Sequence, residues 1–220
     1  MKKNHLTKAV VVISAVLGTA TANAQSMNNS TNIYIGAELG YTTVSDNAQL
    51  LANNLVNTVG GSAAVTQNLS VAIGRLFAGY KLNENFALEL GYGASSNVNY
   101  NFSGVSRGNV AYTGTASDSV SGLDYVLVAR PSVSSGLNNL FFKAGGTYYT
   151  DKVTTTASTS VASATTTFSS SGTGYLLGAG YDIPLGQDLD FRVSYSYLNN
   201  IAGLSGSYAN VFSVGILKKF

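Results

Sequence analysis

Few side chains in this sequence can perform acid–base, nucleophilic or metal chemistry. Lys, Arg, Asp and Glu make up only 10% of the 220 residues, against about 25% in a typical soluble domain. The chain has no Cys, and its single His, His5, lies near the N-terminus. Thiolate metal sites and cysteine nucleophiles are therefore excluded. A net charge of +2 leaves no basic patch for nucleic acid.

Several of the remaining charges fall at alternate positions of apolar segments. Glu89, for example, lies between Leu88 and Leu90 in the segment FALELGYG. The eight charges of this kind, four acidic and four basic, are Glu38, Arg75, Glu89, Asp124, Arg130, Lys143, Asp182 and Arg192. If they share a desolvated interior they must pair, because an unpaired buried charge is costly. Two interpretations stay open, an ion gate in a narrow pore and a neutral plug that fills a packed interior.

No residue pattern indicates catalysis, a cofactor or a metal site. Asp188 and Asp190 lie close together at a turn, where they could bind calcium, but paired carboxylates on a turn are commonly just solvated. The glycines at 172, 174 and 178 do not form a phosphate loop, because no helical pattern follows them. We predict that the protein is not an enzyme and binds no cofactor or metal.

A period-two alternation marks the elements that must position these charges. In segment 33–41, Ile, Ala, Leu and Tyr hold one parity, while Tyr34, glycines and Glu38 hold the other. Such alternation is typical of a strand with one apolar face. Eight segments of this kind are predicted, at 32–43, 69–82, 86–96, 119–131, 139–150, 172–183, 189–199 and 208–220. The second is irregular, because Val71 and Ile73 break the apolar parity and suggest a bulge.

The connections between these segments also alternate in length. Those after the second, fourth and sixth are short, whereas those after the first, third and fifth span about 20 to 25 residues each. Strands of roughly 9–11 residues suffice to cross a bilayer when tilted. Because lipid offers no hydrogen bonds to the backbone, such a sheet must close on itself. The predicted fold is all-β, a closed eight-stranded antiparallel transmembrane up-and-down β-barrel with its apolar parity facing lipid. A soluble lipocalin-like barrel would have a charged outward parity, which this chain lacks.

The first 24 residues have the pattern of a secretory signal peptide. Three lysines precede an apolar stretch from Ala9 to about Ala20, and Ala22-Asn23-Ala24 forms an A-x-A cleavage site. The alternative is a membrane anchor, for which the apolar stretch is too short. We expect cleavage of residues 1–24 and a barrel domain over residues 25–220, which then contains no His.

Three segments carry a resemblance to a known family. GYKLNENFALELGY at 79–92, LDYVLVARP at 123–131 and GAGYDIPLGQDLDFRVSYSYLNNI at 178–201 resemble the eight-stranded transmembrane domain of the OmpA type. The resemblance implies a bacterial outer-membrane barrel of a Gram-negative cell. It also implies that Glu89, Arg130, Asp182 and Arg192 occupy the positions of the family's interior salt-bridge network.

The end of the chain resembles the same family's C-terminal assembly signal. Val214, Ile216 and the terminal Phe220 fit the pattern of alternate apolar residues before a final aromatic residue, and Lys218 departs from it. The resemblance implies recognition of this strand by the barrel-assembly machinery. The family's peptidoglycan-binding domain has no counterpart here, so we expect no tethering to the cell wall.

The long connections are expected to face the cell exterior. The first, DNAQLLANNLVNTVGG at 46–61, could form a short helix between Asp46 and Gly60 that either packs over the barrel mouth or contacts a partner. The second, 97–118, is rich in Asn, Ser and Gly. The third, 151–172, is Ser- and Thr-rich and either extends the strands as a polar hairpin or stays disordered.

Three hypotheses for function remain. The protein is a structural, surface-exposed barrel, or a narrow passive pore for ions or small solutes, or an adhesin-like protein that contacts a surface ligand through its loops. The first and third are compatible and together form the preferred prediction. Its expected surroundings are outer-membrane lipid and lipopolysaccharide.

Overall fold

The computed structural model describes residues 32–43, 48–131, 137 and 139–220. The predicted signal peptide and Asp46 lie outside the described residues. The strands are β1 (Ile33–Thr43), β2 (Ser62–Gln67), β3 (Ser70–Lys81), β4 (Phe86–Ser95), β5 (Val98–Val105), β6 (Ala111–Ala129), β7 (Leu140–Thr159), β8 (Ser163–Pro184), β9 (Leu189–Asn199) and β10 (Tyr208–Lys219). One α-helix, α1 (Ala48–Val59), and a 3-10 turn, Ile201–Gly203, complete the described elements.

Eight of these strands form a closed antiparallel barrel in the order β1, β3, β4, β6, β7, β8, β9 and β10. The last strand pairs with the first, with Glu38 opposite Gly215, so no edge remains within the barrel wall. The backbone amide of Phe220 donates to the carbonyl of Ile33 across this seam at 3.1 Å. In the closed sheet the strands satisfy each other's backbone hydrogen bonds, which lipid cannot do. The closed antiparallel barrel confirms the predicted fold class.

The predicted strand positions agree closely with the structure near the inner ends of the strands. β6, β7 and β8 differ because each continues well beyond a bilayer crossing, to 19, 20 and 22 residues. Cross-strand pairs continue from Ser158–Ser163 down to Leu140–Tyr181, which explains the extra length. The third long connection is therefore an extended hairpin, as one of its two interpretations proposed.

The predicted bulge in the second barrel strand is wrong. β3 pairs with β1 without interruption from Ser70 to Tyr80, and its register with β4 is equally regular. Val71 and Ile73 simply point into the lumen on the same parity as Arg75. Apolar residues on the inward parity are thus part of a packed interior and do not signal a change of register.

The alternation of side chains separates a lipid face from a lumenal face. Leu88 and Leu90 are 50% and 59% exposed, whereas Glu89 between them is 2% exposed. The outward face is predominantly apolar, with exposed Tyr and Phe residues on most strands. This is the facing expected for a membrane barrel. Among the residues described, no helix has the length and apolar character needed to span a membrane.

The outer end of the barrel carries added structure. β2 pairs with β5, and β5 pairs with the outer half of β6, which widens the sheet beyond the barrel wall. Helix α1 packs against β2 and ends where Gly60 adopts a left-handed conformation with φ of 71°. The predicted helix in the first long connection therefore forms.

Candidate functional site

The eight charged residues singled out in the sequence all lie on the inward parity of the barrel. Each wall strand except β10 contributes at least one of them, and Arg130 follows the end of β6. Seven of their side chains are almost fully buried, with Arg192 at 0% exposed, whereas that of Arg130 is 18% exposed. Since flat strands alternate their side chains strictly, closing the barrel brings residues distant in sequence into one layer. We call these eight residues the lumenal charge network.

Arg75 joins three carboxylates at one end of the network. Its Nε and Nη2 donate to the two oxygens of Asp124 at 2.9 and 2.6 Å. Its Nη1 donates to Oε2 of Glu38 and to Oε2 of Glu89, each at 3.1 Å. The bidentate geometry is the strong form of an arginine–carboxylate pair, so Arg75 ties β3 to β1, β4 and β6 through the lumen.

Arg192 continues the network on the opposite wall. Its Nη1 donates to Oε1 of Glu89 at 2.7 Å, and its Nε donates to Oδ1 of Asp182 at 2.7 Å. Arg130 Nη2 donates to Oδ2 of the same Asp182 at 2.7 Å. Glu89 therefore bridges Arg75 and Arg192, and ion pairs cross the lumen from β1 to β8.

Lys143 holds a different position from the three arginines. Its Nζ lies 3.4 Å from Oγ of Ser194, and among the described residues it forms no ion pair within 4.0 Å. Ser194 in turn donates to Oε1 of Glu38 at 2.9 Å and lies 2.8 Å from the hydroxyl of Ser213. The ammonium group of Lys143 is thus connected to the network through a serine.

Aromatic residues within the lumen were missed by the sequence reasoning. The guanidinium carbon of Arg192 lies 4.4 Å from the ring centre of Phe141 and 5.0 Å from that of Phe77, and Arg75 lies 4.5 Å from Phe77. The hydroxyl of Tyr34 donates to Oε1 of Glu89 at 3.0 Å. The available signal was parity, because Phe77 lies two residues from Arg75 and Phe141 lies two residues from Lys143.

Glycines on the inward parity make room for this layer. A Cβ atom at Gly91 would come within 2.6 Å of Asp124 Oδ2 and 2.7 Å of Arg75 Nε, and one at Gly36 would overlap the ring of Phe77. A side chain at either position would have to displace a paired charge or a buried ring. The network therefore fills the lumen at this level, as expected for an eight-stranded barrel.

Asp188 and Asp190 are close to the lysines of the C-terminal strand. Asp190 Oδ2 lies 2.6 Å from Lys219 Nζ, and Asp188 Oδ2 lies 3.4 Å from Lys218 Nζ. No cluster of metal-ligating side chains occurs in the part of the chain that the structure describes. Lys218, which departs from the assembly-signal pattern, thus faces an acidic turn at the barrel end.

Two of the predicted assembly residues, Val214 and Ile216, lie along β10, and Phe220 directly follows its end. Val214 is exposed toward lipid, while Ile216 and Phe220 are half-buried. This placement puts all three on one parity at the barrel seam. Their recognition by assembly machinery stays a prediction.

The sequence of residues 28–220 matches the family model of the OmpA-like transmembrane domain. This chain belongs to the OmpA-like transmembrane domain family. Membership of the OmpA-like family, together with the closed barrel, locates the protein in the bacterial outer membrane. No curated protein sequence matches the chain.

Several solved structures are similar to this OmpA-like chain. They include OprG of Pseudomonas aeruginosa (15% identity, TM-score 0.44, covering 87% of this chain and 97% of OprG). The attachment invasion locus protein Ail of Yersinia pestis has 13% identity and a TM-score of 0.43, covering 86% of this chain and 99% of Ail. Neisserial surface protein A has 12% identity and a TM-score of 0.40, covering 88% of this chain and all of that protein.

Proposed function

We propose that this protein is a non-enzymatic outer-membrane barrel with a sealed interior and an outer surface that contacts other molecules. The sealed interior is supported by an unbroken set of ion pairs. These pairs run from Glu38 through Arg75, Glu89 and Arg192 to Asp182. A paired, buried network of this kind stabilises a closed lumen, because opening a path would leave desolvated charges unpaired.

The proposed contact surface is supported by the outer extensions of β7 and β8. On β7 and β8, hydroxyl groups form cross-strand pairs at 2.8–3.2 Å between Thr150 and Ser171, Thr154 and Thr167, Thr156 and Thr165, and Ser158 and Ser163. These pairs share the outward parity of Phe142 and Tyr148, so they form one polar ribbon above the apolar belt. A hydroxyl ribbon at that height suits contact with the sugars of lipopolysaccharide or with a surface ligand.

The same hairpin carries exposed apolar groups. Val161 at its tip is 90% exposed, and Phe168, which lies opposite Val153 farther down β8, is 67% exposed. Exposed aromatic and aliphatic side chains on such a hairpin can anchor a partner. This combination supports an adhesin-like role for the loops.

The register permits a direct test of the surface role. Lys152 lies opposite Ser169, so replacing residues 153–168 with Asn-Gly would join the two strands in a short hairpin turn. We expect this variant to fold, as judged by heat-modifiable gel migration, and to lose attachment of intact cells to immobilised lipopolysaccharide or host-cell surfaces. The matched control is Thr154→Ser with Thr156→Ser, which keeps both hydroxyl groups. Full attachment by the shortened barrel would contradict the proposal.

A narrow pore is the second candidate, favoured by one observation. The outer half of the lumen contains a cavity of about 500 Å³ that reaches down to Lys143. Planar-bilayer recording of the purified barrel distinguishes the two functions. A sealed barrel gives no steady conductance, whereas a pore gives a conductance that changes in Lys143→Met.

A further inference from the structure

We propose that the outer half of the barrel lumen is a binding site for a small organic amine with an apolar body. The site is the cavity of about 500 Å³ above the lumenal charge network, a volume within the range of small-molecule sites. The sealed-barrel function does not need this ligand, and the two proposals are tested separately.

The walls of the cavity are largely apolar. Its lining includes Val71, Ile73, Val120, Leu176, Leu198 and Val211, which come from β3, β6, β8, β9 and β10. These residues occupy the inward parity, where they share the lining with polar side chains such as Thr42, Ser196 and Ser213. Burying an apolar ligand against them is favourable by roughly 25 cal/mol per Å² of apolar area removed from water.

Two carboxyl groups lie on one wall of this apolar space. Asp118 on β6 pairs with Val153, and Asp151 on β7 pairs with Val120, so the two acids are diagonal neighbours on the same face. Both line the cavity. The Oδ1 atoms of both are buried and have no hydrogen-bond partner, and within the described residues neither acid forms an ion pair. Buried oxygens without donors are rare in native proteins.

The environment of this pair favours a positively charged guest. Burial, together with the charge of the neighbouring Asp151, raises the pKa of Asp118 to about 7. An ammonium group placed between the acids would donate to both free oxygens and relieve the repulsion between them. A carboxylate guest would add to that repulsion.

A metal ion is a poorer match to the same position. Calcium takes six to eight oxygen ligands, whereas the residues that pair directly with the two acids are valines, Val98 opposite Asp118 and Val120 opposite Asp151. The site therefore combines a cation-binding wall with a volume that accepts a hydrocarbon skeleton. An apolar amine matches both features.

The lining extends to the outer mouth. Ile201, Leu204 and Ser207 of the β9–β10 connection line its upper part, and Glu38, Arg75 and Lys143 form its floor. A ligand would therefore enter from the cell exterior and stop at the charge network.

The test uses three rigid probes that differ only in their polar group, namely 1-aminoadamantane, 1-adamantanol and 1-adamantanecarboxylate. Binding to the full barrel in lipid nanodiscs is measured by calorimetry against empty nanodiscs, and methyl NMR shifts of Val120 and Leu176 report the position. We expect saturable binding of the amine at least tenfold tighter than that of the alcohol, and no binding of the carboxylate.

Two sets of variants locate the interaction. Asp118→Asn with Asp151→Asn should reduce amine affinity to that of the alcohol and leave the alcohol unchanged, whereas Val120→Trp should abolish binding of both. Lys152→Gln, on the outward parity of β7, is the control and should bind like the parent. Heat-modifiable migration checks the folding of each variant.

Several results would overturn the proposal. These are equal affinity for amine and alcohol, unchanged amine binding in the folded double Asn variant, and uptake of the amine that does not exceed its partition into empty nanodiscs. An absence of conductance would not contradict the proposed amine site, and an absence of amine binding would not contradict the sealed-barrel function.

Discussion

At the scale of single residues, Glu89 is the centre of the lumenal charge network. Its two oxygens accept from Arg75, Arg192 and Tyr34, so one carboxylate serves two guanidinium groups. Removal of this side chain leaves both guanidinium groups partly uncompensated in a desolvated space, a more severe change than the loss of a surface pair.

Glu89→Ala should therefore lower the free energy of unfolding by roughly 3–5 kcal/mol. Urea titration of the barrel in lipid vesicles, followed by gel migration and circular dichroism, measures the change. Glu84→Ala is the matched control, because Glu84 is exposed in the turn before β4, and it should shift the stability little. Equal effects at the two positions would mean that Glu89 is solvated.

The network also predicts which residues are energetically coupled. A double-mutant cycle of Glu89→Gln with Arg192→Gln should show a coupling energy above about 0.5 kcal/mol, because the two side chains are in contact at 2.7 Å. The cycle of Glu89→Gln with Arg130→Gln should show a smaller coupling, since Arg130 contacts Asp182 and reaches Glu89 only through Arg192. A larger coupling for Arg130 would contradict the observed connectivity.

At the scale of elements, β6 and β7 each combine a part that crosses the membrane with an extension above it. Counted from Ala129, roughly 11 residues cross the membrane, and Asp118 lies just beyond them in the outer extension. There it lies diagonally across from a second acid, Asp151 on β7. The long strands thus carry a like-charge pair into a region that water and ligands can reach.

The outer extension should become less stable as pH rises. The pKa of Asp118 is raised in the folded protein to about 7 from an ordinary value of 3.8. The folded state therefore binds the proton more tightly than the unfolded state. Its stabilising effect is complete below about pH 4 and is lost as pH rises through 7.

Amide hydrogen exchange of residues 111–118 and 151–159 measures this effect. Exchange, corrected for its intrinsic pH dependence, should accelerate between pH 4 and pH 8 in the parent and change little in Asp118→Asn. Amides of β10 serve as the internal control and should show no such trend. Identical profiles in parent and variant would contradict the prediction.

At the scale of the whole molecule, the barrel is complete only when its last strand meets its first. β10 forms this seam by pairing with β1, and the backbone amide of Phe220, just after the end of β10, donates a hydrogen bond to the carbonyl of Ile33. A chain that cannot close leaves two strand edges in lipid, each with unsatisfied backbone groups. The terminal residue therefore affects the seam, and its resemblance to the assembly signal predicts that it also affects delivery to the membrane.

Deletion of Phe220 should lower the folded fraction in the outer membrane several-fold. Heat-modifiable protein in isolated membranes measures that fraction. Phe220→Tyr, which keeps the terminal aromatic ring, is the control and should assemble like the parent. Unchanged folded protein after the deletion would contradict the assembly-signal interpretation.

The sequence by itself determined the eight strands of the barrel wall, their facing and the class of fold, but not β2, β5 or the outer extensions of β6, β7 and β8. The alternation of apolar and polar residues is a local property of each strand, so it predicts that Glu38, Glu89 and Arg192 face inward without any knowledge of which strands pair. The lengths of the connections then separated the two ends of the barrel. Membership of the OmpA-like family agrees with this prediction.

Only the tertiary structure decided which inward residues meet. Glu38 and Arg75 are neighbours because β1 pairs with β3 in one register, and a shift of one residue would turn the charges to lipid. The contacts of Phe77 and Phe141 with Arg192, and the cavity beside Asp118 and Asp151, depend on barrel closure in the same way. Parity is set by neighbouring residues along one strand, whereas contact across the lumen depends on the registers of all eight strands together.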